Sequence, residues 1–297
     1  VKNMMLDLTQ LDPRPLVGAT LVLLIGVGAG LALGLPGRRV WYPPRRRAQP
    51  WPTAVVLWLL AASFFAPPLA FLGAVAMLAL PDQWHTLRWR PGQQPWADAL
   101  RAGYLGWLVL TVPVLLLNLA VQALLRAQGS EPIVNPLLER LLRDDVTFAE
   151  FAAASLIAVG LAPVMEEVLF RGILQPWLVS QDRGALVGGG LAVLLVGIRQ
   201  VVVPTTPFAG VLFTALVAGG LSVLELVPRG AALARVATAG LLFAVAHPSW
   251  PDPVALWLLG TGLGWVYHRT RSLLAPMVVH ALFNATSLLL IAGRVQL

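Results

Sequence analysis

The sequence predicts an all-α, polytopic membrane protein of about eight or nine transmembrane helices. Three observations carry that expectation. Of 297 residues, 58% are apolar and only 12% charged, where a soluble domain carries roughly 25% charged residues. Mean hydropathy is +0.76. Long charge-free windows recur along the chain, whereas the ten-residue alternating pattern of a membrane barrel is absent. In lipid, unpaired backbone groups are too costly for open sheets, so helices follow. The same composition excludes a disordered chain, a nucleic-acid-binding domain and an ordinary soluble enzyme. The net charge of +7 includes a single lysine, Lys2, and reads as cytoplasmic loops facing anionic lipid. With no cysteine in the chain, disulfides, thiolate metal sites, a thiol nucleophile and a lipid-anchor cysteine are all excluded.

The elements follow in order. Pro15 to Gly37 is a 23-residue uncharged window, long enough to cross a bilayer and read as a retained first span. Five arginines between Arg38 and Arg47 mark a cytoplasmic loop and put the N-terminus outside. Ala48 to Pro81 is free of charge but interrupted by Pro67-Pro68, so one kinked helix or a broken pair is expected. A polar loop reaches Asp98, and Ala102 to Leu125 forms another span. Ala127 to Asp145 is a connector of mixed charge. The first 147 residues thus form an N-terminal unit of about three spans, and 148–292 a second unit. Within the second unit come an apolar stretch from Phe148 to about Leu178, a turn at 181–184, and two apolar stretches, Ala185–Val203 and Phe208–Val227. Leu233–Pro248, a Gly-rich Pro253–Tyr267, a turn at His268–Ser272 and Leu273–Ala292 complete it.

Ionisable groups inside apolar spans cost several kcal/mol and usually mark function. They concentrate in three places: Glu166, Glu167 and Arg171; Phe243 and His247; His280 and Asn284. Positions i and i+4 share a helix face, so Glu167 is within reach of Arg171, whose charge needs a carboxylate. Glu166 is turned about 100° away and stays unpaired within its own helix. His280 and Asn284 also share a face. His247 closes its span before Pro248, with Phe243 one turn below as a wall. Two mechanisms fit one free carboxylate, two imidazoles and an amide. In the first, Glu166 is general base to a water, helped by His247, while His280 and Asn284 stabilise the oxyanion. In the second, Glu166, His247 and His280 ligate a metal, zinc being the usual one, with water in the open position. The first is preferred, because the ligands lie on separate helices without a His-x-x-x-His pair. His85, His268 and Glu225 read as structural, and Gly188-Gly189-Gly190 as close helix packing.

Together the three motifs resemble the type II CAAX prenyl endopeptidases, also described as CAAX protease and bacteriocin-processing (CPBP) intramembrane proteases. Glu166-Glu167-x-x-x-Arg171 followed by Gly172 resembles the family's first motif, Phe243-x-x-x-His247 its second and His280-x-x-x-Asn284 its third. The resemblance covers roughly 148–292. It implies an intramembrane endopeptidase with catalytic Glu166, His247, His280 and Asn284. Glu167, Arg171 and Phe243 would be structural or substrate-orienting, and the metal is left open. It also implies a membrane-embedded or lipidated peptide or protein as substrate and a place in a bacterial plasma membrane. The 79 residues between Glu167 and His247 exceed the family's usual gap, so a helical insertion at 187–227 is expected. The competing readings are a transporter, which would call for paired internal repeats, and a non-catalytic scaffold.

Overall fold

The computed structural model describes residues 51–78, 96–129, 140–202 apart from 142 and 144, and 208–292 apart from 248. The expected first span at 15–37, the arginine loop at 38–47 and His85 lie outside these residues. Every regular element described is helical. They are α1 (Thr53–Phe65), α2 (Pro67–Leu78), α3 (Trp96–Ala127), α4 (Phe148–Ser180), α5 (Gly184–Val202), α6 (Phe208–Glu225), α7 (Ala231–Ala246), α8 (Asp252–Thr270) and α9 (Leu274–Ala292).

The expectation of eight or nine spans is overturned. Among the described residues only four helices, α3 to α6, are long and apolar enough to cross a membrane. The physical reason is that a charge-free window is not one helix with one environment. The window at 48–81 breaks at Ala66 into helices of 13 and 12 residues, because Pro67 and Pro68 cannot continue the first. The window before His247 yields α7, of 16 residues, about 24 Å at 1.5 Å per residue and short of a bilayer core. Its apolar residues serve another purpose, for every residue from Ala234 to Val245 is buried. In contrast, the four long helices leave large apolar side chains uncovered. Leu116 and Leu119 on α3, Leu156 and Leu161 on α4, Leu194 and Val201 on α5, and Leu212 and Leu216 on α6 are all exposed. Uncovered faces of that kind suit lipid. The chain is a helical membrane protein whose hydrophobicity is divided between a lipid-facing set and an inner helix.

That inner helix is α7, which packs on α4, α5, α6 and α8. Its closest approach is to α8, at paired glycines. A Cβ on Gly240 would lie 2.6 Å from the Thr261 amide nitrogen, and one on Gly260 would lie 2.9 Å from the Gly240 carbonyl oxygen. Only hydrogen at both positions allows this crossing. On the far side of α8, α3 and α9 close a second apolar cluster through Trp107, Leu259, Leu263 and Val279. Charges fasten α5 and α6 to the rest. Glu225, ending α6, accepts hydrogen bonds from the Ala185 and Leu186 amides at 3.0 and 3.2 Å, an anion placed at a helix N-terminus. The same carboxylate pairs with Arg235 of α7, which also donates to the carbonyls of Val179 and Asp182 at 3.1 and 2.8 Å.

Candidate active site

Helix α4 carries the glutamates, and its start is written in the sequence. Thr147 and Glu150 form a reciprocal capping box: the Glu150 amide donates to the Thr147 hydroxyl at 3.2 Å, and the Thr147 amide to the Glu150 carboxylate at 2.9 Å. Arg140 adds hydrogen bonds to Asp145 at 2.8 Å and Glu150 at 2.6 Å. The rod is not uniformly α-helical. It widens into π-helical turns at Leu156–Leu161 and Val168–Leu174, on either side of the short α-helical stretch Ala162–Glu167.

Each widening ends two residues before a proline, Pro163 or Pro176. Ala162 donates to the carbonyl of Ile157, and Gln175 to that of Phe170, both five residues back. Pro163 and Pro176 then bring no N–H and would clash with the carbonyl four residues back in a regular helix. The wider turn absorbs that mismatch, as π-bulges at functional sites often do. It also frees an acceptor. In this register the Ala158 carbonyl would take the N–H of residue 163, which proline lacks. The side-chain amide of Asn284 donates to it instead, at 2.8 Å.

Glu166 and Glu167 point to different partners. Glu167 is fully buried and accepts from Arg171 at 2.9 Å. Its Oε1 also lies 3.0 Å from Nδ1 of His280. Arg171, likewise buried, donates to the Gly260 carbonyl at 2.9 Å and sits 4.6 Å from the centre of the Phe243 ring. One turn on, Gln175 donates to the Gly264 carbonyl at 3.0 Å. Arg171 and Gln175 on α4 thus grip two bare carbonyls one turn apart on α8. Phe243 meets His247 and His280 edge-on, with ring centres at 5.0 and 5.6 Å.

Glu166 has 29% of its side chain exposed, and its Oε2 is buried without a hydrogen-bond partner. That oxygen stands 3.9 Å from Nε2 of His247 and 3.9 Å from Nε2 of His280. Both distances are too long for a direct hydrogen bond. The far nitrogen of each ring is held. Nδ1 of His247 lies 3.0 Å from the Phe243 carbonyl oxygen, which can only accept, so this nitrogen carries the hydrogen. Nδ1 of His280 faces the Glu167 carboxylate in the same sense. These partners assign the tautomers, and both Nε2 atoms are directed at Glu166. The site is therefore built by α4, α7 and α9, with α8 contributing only backbone.

Asn284 belongs to the same helix as His280 but turns its amide to α4. His268 stacks on Trp265, with ring centres 5.7 Å apart. Glu225 is in the α5–α6–α7 latch. Three features escape a reading of the sequence alone: the second bond of Glu167, to His280; the two α8 carbonyls; and the π-turns. Only the last had a signal, the mid-helix prolines.

The donor types suit a metal, since a carboxylate oxygen and two imidazole nitrogens converge and each imidazole has the outer partner typical of a ligand. The spacing fits less well. Ligands of a tetrahedral ion with bonds near 2.0–2.1 Å stand about 3.4 Å apart. Among the described residues no group of three or more His, Cys, Asp or Glu side chains is placed to hold one ion.

A family model described as Type II CAAX prenyl endopeptidase Rce1-like matches residues 148–224 and 208–286. The two segments overlap at 208–224 and together cover just under half of the chain. Glu166, Glu167, Arg171, Phe243, His247, His280 and Asn284 all fall within them. No curated protein and no solved structure matches the chain. The C-terminal half is thus a protease-like helical membrane fold with buried acid–base pairs.

Proposed function

We propose that this protein is an intramembrane endopeptidase that hydrolyses a peptide bond of a membrane-embedded or lipidated peptide or protein, with Glu166 as general base. One observation carries the reading: a single unpartnered carboxylate oxygen faces two imidazole nitrogens at 3.9 Å each. A water can bridge separations of this size. It would donate one hydrogen to Glu166 and the other to the lone pair of His247. As its oxygen attacks the carbonyl carbon, Glu166 takes its proton, and the tetrahedral oxyanion forms. His280, oriented by the Glu167 carboxylate on Nδ1, stands beside the oxyanion and donates to it from Nε2 when protonated. Asn284 commits one amide hydrogen to Ala158, and its second is available to the oxyanion. Collapse of the intermediate breaks the C–N bond, and the proton held by Glu166 passes to the leaving amine. The family match supports peptide hydrolysis as the reaction. A bacterial plasma membrane as the location is part of the same reading, and membrane fractionation tests it.

A panel of quenched fluorescent apolar peptides tests this with the purified full chain in detergent micelles. Cleavage that survives treatment with 1,10-phenanthroline supports the glutamate–water mechanism. Cleavage lost on chelation and restored by zinc supports the alternative in which Glu166, His247 and His280 hold the ion. Cleavage of no peptide, in detergent or in lipid, counts against the enzyme reading.

A further inference from the structure

Beyond the glutamate–histidine cluster, one cation lies buried without an anion. Arg199, near the end of α5, has 6% of its surface exposed. Its Nη1 makes one marginal contact, 3.5 Å to the Ala246 carbonyl oxygen, and its guanidinium lies 5.5 Å from the Phe64 ring centre. Its Nε is buried without a partner. No carboxylate pairs with it among the described residues. A buried guanidinium in this state is costly unless an anion reaches it.

The guanidinium lines a small pocket with Ser249, Thr214, Trp250, Gly210 and Pro253. The Ser249 hydroxyl is 3% exposed by residue and has no partner. Thr214 commits its hydrogen to the Gly210 carbonyl at 2.8 Å, so Ser249 is the hydroxyl left to donate. A guanidinium and a free hydroxyl facing one small cavity match an oxyanion. Ala246 and Ser249 flank His247 in the chain, which places this pocket against the turn that presents the imidazole to Glu166.

We propose that Arg199 and Ser249 form a subsite for a carboxylate, the free C-terminus of the peptide that is cut. The identity of the anion rests on the peptidase reading; the existence of an oxyanion site does not. The test therefore reads binding, not turnover. The full-length Glu166→Gln protein, purified in detergent, is titrated calorimetrically with N-acetyl-leucyl-leucine as the free acid, with the corresponding amide, and with inorganic phosphate. The acid is expected to bind about tenfold or more tightly than the amide, the scale of one charge-assisted hydrogen bond. Arg199→Gln should abolish that preference without weakening the amide, and Ser249→Ala should reduce it. Equal binding of acid and amide overturns the proposal, as does a preference that survives Arg199→Gln. Phosphate binding as tight as that of the acid overturns the assignment to a peptide terminus. Should Arg199→Gln fail to fold, the acid–amide comparison and Ser249→Ala still decide. Absence of proteolysis by the parent protein would defeat the peptidase reading and leave this binding result standing.

Discussion

Glu166 and Glu167 are neighbours in sequence and opposites in role. Glu167 holds Arg171 and His280 at once, so its carboxylate joins the folding and the orientation of the site. Glu167→Gln leaves the Arg171 charge buried beside a neutral amide and weakens the restraint on Nδ1 of His280. Loss of one partner of a buried ion pair costs about 3–5 kcal/mol, so thermal unfolding should show a large drop in Tm. Adding Arg171→Met should recover part of that loss; a double variant as unstable as the sum of the two singles would contradict the pairing. The Glu167–Arg171 bond was legible from the i, i+4 spacing alone. The bond to His280 was not, because it joins residues 113 positions apart, and nothing local encodes that meeting.

Among the elements, α4 departs furthest from what periodicity suggests. An apolar run from Phe148 to Leu178 reads as one smooth helix, yet Pro163 and Pro176 each widen a turn. The consequence at Ala158 is specific: proline withholds an N–H, and Asn284 supplies one from α9. Asn284 therefore also acts as a positioning residue for the helix that carries Glu166. Pro163→Ala restores a backbone donor in competition with Asn284. The expected result is non-additivity: Asn284→Ala should lower peptide cleavage less in the Pro163→Ala background than in the wild type, by 0.5 kcal/mol or more of coupling, roughly twofold or greater. Additive effects would show that Asn284 does not act through Ala158. Helix starts were more legible than these interior turns. The Thr147-x-x-Glu150 box announces where α4 begins, although apolar windows alone do not register it.

At the scale of the whole molecule, the apolar composition correctly implies a helical membrane protein and overstates how many helices can cross. Windowed hydropathy cannot separate a lipid-facing helix from one buried in protein. α7 is apolar because it is the core, and α3 to α6 are apolar because their outer faces meet lipid. The arrangement predicts topology. Asp182, between α4 and α5, and Arg229, after α6, lie at the same end of the bundle, tied through Glu225 and Arg235. The absence of cysteine makes single-cysteine labelling straightforward. Asp182→Cys and Arg229→Cys should react with an impermeant maleimide from the same side of sealed vesicles; labelling from opposite sides would show that α5 and α6 do not both cross.

Peptide hydrolysis by this protein would depend on the carboxylate oxygen that faces two imidazoles. Its most direct measurement is a profile of new peptide termini in membranes of cells producing the wild-type chain or Glu166→Gln, with Tm recorded for both purified proteins. Because Glu166 Oε2 accepts no protein hydrogen bond, Tm should change little, while loss of a general base lowers the rate about 10²–10⁴-fold. New termini should appear with the wild type and vanish with a folded Glu166→Gln protein. The same termini at undiminished yield from Glu166→Gln would contradict that dependence.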